Sequence, residues 1–240
     1  MNSTNANRSA YLDALGIRQW VLRVSGFGEL AEAVEVASEC VQQGSEIKVS
    51  ADELQRFDLS GLAKHVADCK ACALHATRKQ TVFGTGHHKA DWLIIGEAPG
   101  ADEDRQGEPF VGRAGQLLTQ MLRAIGLARE EVFIANILKC RPPNNRDPKA
   151  EEVSACRHYL NRQIELLQPK IILALGRIAA QSLLQTDTPI GKMRGRLYHL
   201  DQYQIPTVVT YHPAYLLRSP KEKRKVWEDL KFARQQVLGS

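Results

Sequence analysis

At 240 residues, with 43% hydrophobic and 25% charged side chains, the chain has an ordinary globular composition, enough for one sizeable core and an appendage. No apolar run approaches the roughly 18 residues of a membrane-crossing helix, and the opening MNSTNANRSAYLDALG lacks a basic stretch followed by an apolar one, so a cytoplasmic protein is expected. The net charge of +5 suits a polyanionic partner, because each cation that neutralises a phosphate releases a counterion, but charge alone is an even bet.

In chain order, residues 1–55 read as an N-terminal extension and 56–240 as the main domain. The extension holds a short mixed segment at 11–24, an Ala/Glu/Val stretch with helical spacing at 29–42, and a polar run at 43–52. Beyond Leu54, short apolar runs bounded by breakers predict strands at 92–96, 132–138, 171–176 and 206–211. Helices are predicted at 112–125, 148–167, 178–184 and 221–237. The first carries Leu117, Leu118, Met121, Leu122 and Ile125 at helical spacing; the second opens on Pro148 and the acidic pair Glu151 and Glu152. Strands alternating with helices imply an α/β three-layer sandwich around a central, mostly parallel four-stranded sheet. In such sheets the site lies at the carboxyl ends of the strands.

The cysteines form the first constellation. Cys69-Lys-Ala-Cys72 is a C-x2-C pair, Cys140 follows a predicted strand, and Cys156 lies inside the next helix. In a reducing compartment such thiols are not expected to pair as disulfides. Four thiolates from three elements can surround one metal centre, and spacing leaves zinc and iron–sulfur both open. Cys40 has no partner in the pattern and reads as a packing residue.

The second constellation sits at the strand ends: Gly96-Glu97-Ala98-Pro99-Gly100, then Pro109-Phe110-Val111-Gly112, then Asn136 with Lys139-Cys140-Arg141-Pro142-Pro143, and finally His212-Pro213-Ala214-Tyr215-Leu216-Leu217-Arg218. Taken singly, Phe110 could be core, Asn136 a turn residue and His212 a structural histidine. Together and in order, GEAPG, GEPFVGRAGQLL, ANILKCRPPNNRDP and HPAYLLR resemble the motifs of family-four, iron–sulfur uracil-DNA glycosylases over roughly residues 60–238.

That resemblance implies a uracil-DNA glycosylase-like fold and hydrolysis of the N-glycosidic bond of uracil in DNA, leaving an abasic site. It implies that Phe110 stacks on the extruded base, that Asn136 pairs with the uracil edge, and that Gly96, Glu97 and Ala98 contact the base or place a water. His212 would donate to uracil O2, Leu216 or Leu217 would wedge into the vacated stack, and Arg218 would hold a phosphate. Cys69, Cys72, Cys140 and Cys156 would bind a 4Fe–4S cluster, with zinc the lesser alternative. GEAPG departs from the family at its third position, where many members have glycine. Glu97, Asp102, Glu103 and Asp104 are all acids near the first motif, and the sequence does not choose a base among them.

The segment Leu12–Arg23 resembles the start of the psi subunit of the DNA polymerase III clamp loader, which implies that residues 8–25, with Leu12, Leu15, Ile17, Trp20 and Leu22 as apolar anchors, dock on the chi subunit. Two other readings stay open: a catalytically weak DNA- or replisome-binding module on the same fold, tethered by that segment, and a zinc-stabilised α/β protein acting on free nucleosides.

Overall fold

The computed structural model describes residues 54–200 and 202–238. Of the N-terminal extension, the docking segment 8–25 and the helix 29–42 with Cys40 lie outside the described residues. No helix among the described residues is long and apolar enough to cross a membrane.

The first described helix is α1, Leu59–Ala67. Asp58 caps it, its side chain accepting from the Gly61 amide at 2.7 Å, and it buries Leu59, Leu62 and Val66 at helical spacing. The elements that follow are β1 (Thr85–Gly86), β2 (Trp92–Gly96), α2 (Ala101–Gln106), α3 (Arg113–Ala124), β3 (Phe133–Asn136), α4 (Ala150–Leu167) and β4 (Ile171–Leu175). The chain continues through α5 (Arg177–Leu184), α6 (Ile190–Met193), β5 (Leu197–Leu200), β6 (Ile205–Thr210), α7 (Pro213–Arg218) and α8 (Lys223–Leu238).

The sheet has six strands in the order β1-β3-β2-β4-β6-β5, not four. The four strands read from the sequence are its parallel centre; β1 and β5 add an antiparallel edge on each side. Edge strands need no apolar run, because one flank and often one face remain wet. The two-residue β1 and the half-exposed β5 gave no pattern to detect.

The central strands are buried on both faces, which explains their continuous apolar runs. Trp92 and Ile94 point into one layer, with α3, α7 and α8. Leu93 and Ile95 point into the other, with α1, α4 and α5. The chain leaves β2 to one side for β3 and later returns on its other side as β4. That reversal opens a crevice at the carboxyl ends of the strands.

The exit of β6 is fixed by a buried ion pair. Asp229 of α8, 2% exposed, accepts from Arg194 Nε at 2.8 Å and from the Thr210 hydroxyl at 2.6 Å, while the Arg194 guanidinium lies 4.5 Å from the Tyr211 ring centroid. Removing one partner strands the other charge in a dry site. Asp229→Ala should therefore lower stability by about 3 kcal/mol or more in chemical denaturation. A loss as small as that of an exposed pair, under about 1 kcal/mol, would contradict this assignment.

Candidate active site

A cavity of about 450 Å³ opens at the crevice. Its walls come from the loops after β2, β3 and β6. Glu97, Ala98, Phe110, Asn136, His212 and Arg218 all line it. Gly96 lies beneath it, paired in parallel register with Asn136. A Cβ on Gly96 would sit 2.4 Å from Asn136 Oδ1 and 2.6 Å from Phe110 Cζ, so only glycine lets these two side chains meet there. A separate cavity of about 360 Å³ between α4, α5 and β5 holds none of the predicted site residues.

Asn136 is 2% exposed, and its Oδ1 is buried without a hydrogen-bond partner. An orphaned amide oxygen costs about 1–3 kcal/mol until a donor reaches it. Phe110 holds a positive φ of 55°, an uncommon and strained backbone for an aromatic residue. Two neighbours impose it. Gly115 of α3 packs so closely on the Phe110 carbonyl that a Cβ would fall 1.7 Å from its oxygen. Glu103 binds the loop on the other side: one carboxylate oxygen accepts from the amides of Val111 (2.9 Å) and Gly112 (3.1 Å), and the other from Gly100 (3.1 Å). A single side chain thus joins the loop after β2 to the loop carrying Phe110.

The remaining acids sort themselves by their partners. Asp102 pairs with Arg105 on the surface, and the buried Asp104 accepts from the Lys79 amide at 2.9 Å. Glu97 makes no hydrogen bond through its carboxyl to a described residue. Burial, reinforced by the nearby Asp147 charge and opposed by Arg177, lifts its pKa to about 7. Asp147 and Arg177 are themselves paired at 2.8 Å.

His212 is the N-cap of α7, with Pro213 at the first helical position. Its Nδ1 accepts from the Ala214 amide at 3.2 Å, which leaves the ring proton on Nε2. The ring lies 5.4 Å from the Phe110 ring, tilted by 30°. Burial, aided by the Arg218 charge, lowers its pKa to about 4, so at neutral pH it is an uncharged donor. At the rim the two predicted wedge leucines part: Leu216 is 1% exposed and packed in the core, whereas Leu217 is 39% exposed.

The four cysteines meet behind the site, around Leu138 and Tyr159. Cys69 and Cys72 follow α1, Cys140 follows β3, and Cys156 lies in α4. Burial raises the thiol pKa of Cys72 and Cys140 and takes Cys156 up to about 12, and the sulfurs sense one another's charge. Arg78 donates to Cys140 Sγ at 3.1 Å, and the Lys139 amide donates to Cys156 Sγ at 3.3 Å. Among the described residues no three His, Cys, Asp or Glu side chains are arranged to hold a single metal ion. The loop between Cys140 and Cys156 forms one wall of the cavity with Pro142, Asn145, Arg146 and Asp147. Arg146 braces it through two bonds to Glu152, which also accepts from the Lys149 amide at the start of α4.

Residues 83–231 match the model of the uracil DNA glycosylase superfamily. A type-4 uracil-DNA glycosylase of Archaeoglobus fulgidus is 45% identical over 179 residues, covering 72% of this chain and 90% of that protein. The chain belongs to this family. A type-4 uracil-DNA glycosylase of Thermotoga maritima is 44% identical over 177 residues, covering 72% of this chain and 91% of its own length. Similarity to a type-5 uracil-DNA glycosylase of Thermus thermophilus is narrower, 35% over 118 residues and 43% of this chain.

Motif reading alone missed several residues of this uracil-DNA glycosylase cavity. Glu103 was no more than one acid among four, Asp147 and Tyr215 stood in the motifs without a role, and Arg177, the partner of Asp147, carried no signal. Their roles depend on partners that meet only in the folded chain, the Gly100, Val111 and Gly112 amides for Glu103 and Arg177 for Asp147.

The histidine assignment has a direct check. The group's folded pKa lies below its unfolded value, so its ring stays neutral down to about pH 5, and its contribution to stability is lost as pH falls from 6.5 toward 4. NMR of the His212 ring should show the Nε2-protonated neutral tautomer at pH 5.5. A titration midpoint near 6.5 would contradict the buried, backbone-capped geometry.

Proposed function

We propose that the cavity takes uracil extruded from DNA and that the chain hydrolyses its N-glycosidic bond, leaving an abasic site. The observation that carries this reading is the orphaned Asn136 Oδ1 beside the Phe110 ring and a neutral Nε2–H of His212. Uracil offers a matching donor in N3–H, and its O4 can accept from the Asn136 amide nitrogen. Cytosine has no N3–H, so it would leave the oxygen unpaired, a mismatch that discriminates strongly in a dry site. Phe110 supplies a face for stacking.

Bond cleavage leaves negative charge on uracil O2. The Nε2–H of His212, held in place by the Ala214 amide, is a preorganised neutral donor for that charge. Glu97, with a pKa of about 7, can take a proton from the attacking water once ionised. Glu103 is excluded from that role by the three amides it holds. Leu217 is the exposed candidate for the wedge, and Arg218 at the cavity wall the candidate phosphate contact. Leu216 supports them from the core.

Cys69, Cys72, Cys140 and Cys156 would hold a 4Fe–4S cluster. Four thiols gathered from three elements, with Cys140 and Cys156 buried and each receiving an N–H donor on its sulfur, fit such a cluster. When bound, it would supply iron–thiolate bonds that tie the loop after β3 to α1 and α4; hydrolysis itself moves no electron. The main domain would thus run from about residue 56 to the end. For residues 8–25, docking on chi rests on the sequence resemblance alone, and a complete cavity argues against a module that merely binds.

The test is excision from an oligonucleotide holding one uracil, with alkali to break abasic sites. Wild-type protein should cleave it at a rate that rises through about pH 7 as Glu97 ionises. His212→Ala should be slower by about 10²–10³-fold while still binding DNA. Iron-loaded wild-type protein that leaves uracil in place would refute the proposal.

A further inference from the structure

Lys139 is buried to 1% exposure, yet none of the ion pairs among the described residues includes it. A lysine is rarely buried without a partner, because an ammonium taken from water needs both hydrogen bonds and a counter-charge. Its hydrogen bonds are clear. The side chain folds back so that Nζ donates to the backbone carbonyl of Asn136 at 2.9 Å and to Gln163 Oε1 at 2.5 Å. Gln163, on α4 two turns beyond Cys156, is fixed in turn by donating to the Phe83 carbonyl at 2.9 Å.

The main chain of Lys139 is equally committed. Its N–H donates to Cys156 Sγ at 3.3 Å and its carbonyl accepts from the Val82 amide at 2.8 Å. Cys140 is the next residue. Lys139 therefore touches the end of β3 and Gln163 of α4 with its side chain, and Cys156 with its backbone.

We propose that Lys139 is a positioning residue coupling the two: its Nζ clamps the main chain of Asn136 to Gln163 of the Cys156-bearing α4, while its amide is held on Cys156 Sγ. This inference rests on the uracil-reading role of Asn136. It makes the cysteine centre a determinant of where Asn136 sits, beyond the loops it ties together.

Two full-length variants test it. Lys139→Met keeps length and apolar packing but removes charge and donors; Lys139→Gln keeps a donor for the Asn136 carbonyl but not the charge. Three quantities are measured on anaerobically prepared protein: single-turnover uracil excision, affinity for an oligonucleotide with an abasic site, and the rate at which a chelator bleaches the visible iron–thiolate absorption. Lys139→Met should excise about 10–100-fold more slowly with DNA affinity within about two-fold of wild type, and should bleach several-fold faster. Lys139→Gln, which keeps one donor, should recover excision to within about three-fold of wild type and bleach more slowly than Lys139→Met. Wild-type excision and bleaching in Lys139→Met, or equal loss of excision in both variants, would overturn the proposal. If Lys139→Met does not fold, Gln163→Leu, which removes the other end of the clamp, decides: slower excision with DNA affinity retained supports it, and wild-type excision overturns it. A wild-type protein that does not excise uracil would refute the functional reading instead, and the bleaching comparison would still judge the tie between Lys139 and the cysteine centre.

Discussion

The close pairing of Gly96 with Asn136 at the carboxyl ends of β2 and β3 is the constraint on which the site depends. Two adjacent parallel strands end together, one in a residue with no side chain and the other in a buried amide. The gap left at Gly96 is filled by the edge of Phe110 and by Asn136 Oδ1. Any larger residue there would push both aside. Phe110 must reach this point from a loop with an unfavourable backbone, so the loop is held from two directions, by the backbone of α3 at Gly115 and by the Glu103 carboxylate. The strain at Phe110 is thus maintained by packing and charge that surround it.

The second organising feature is the sharing of segments between cavity and cysteine centre. Residues 136–147 leave β3 with Asn136, pass Lys139 and Cys140, and return to the cavity at Pro142, Asn145, Arg146 and Asp147. A glycosylase that reads one base needs its reading groups fixed before the base arrives, since the energy of extrusion has to be recovered from contacts already in place. On the proposed reading, rigid strand ends, a capped histidine and a braced loop meet that need with little side-chain freedom left to lose.

Much of the fold was legible in the sequence, because strands buried on both faces must be continuous apolar runs and their connecting helices must show a 3.6-residue stripe. The edge strands were not, since Thr85–Gly86 and Leu197–Leu200 bury too little to leave a pattern. The motifs pointed to a set of side chains that the structure gathers around one cavity. Physical roles were harder to read. Whether Leu216 or Leu217 faces solvent depends on the docking of a six-residue helix, and which nitrogen of His212 carries the proton depends on the Ala214 amide. The distinction between Glu97 and Glu103 came from three backbone amides that only the folded chain brings together.

The account stands on Asn136 Oδ1 waiting for a donor. A crystal structure of the His212→Ala protein with uracil-containing DNA addresses that claim most directly. The prediction is an extruded uracil stacked on Phe110, with its N3–H donating to Asn136 Oδ1. A uracil bound elsewhere, or one seated in the cavity with that oxygen still unpaired, would contradict it.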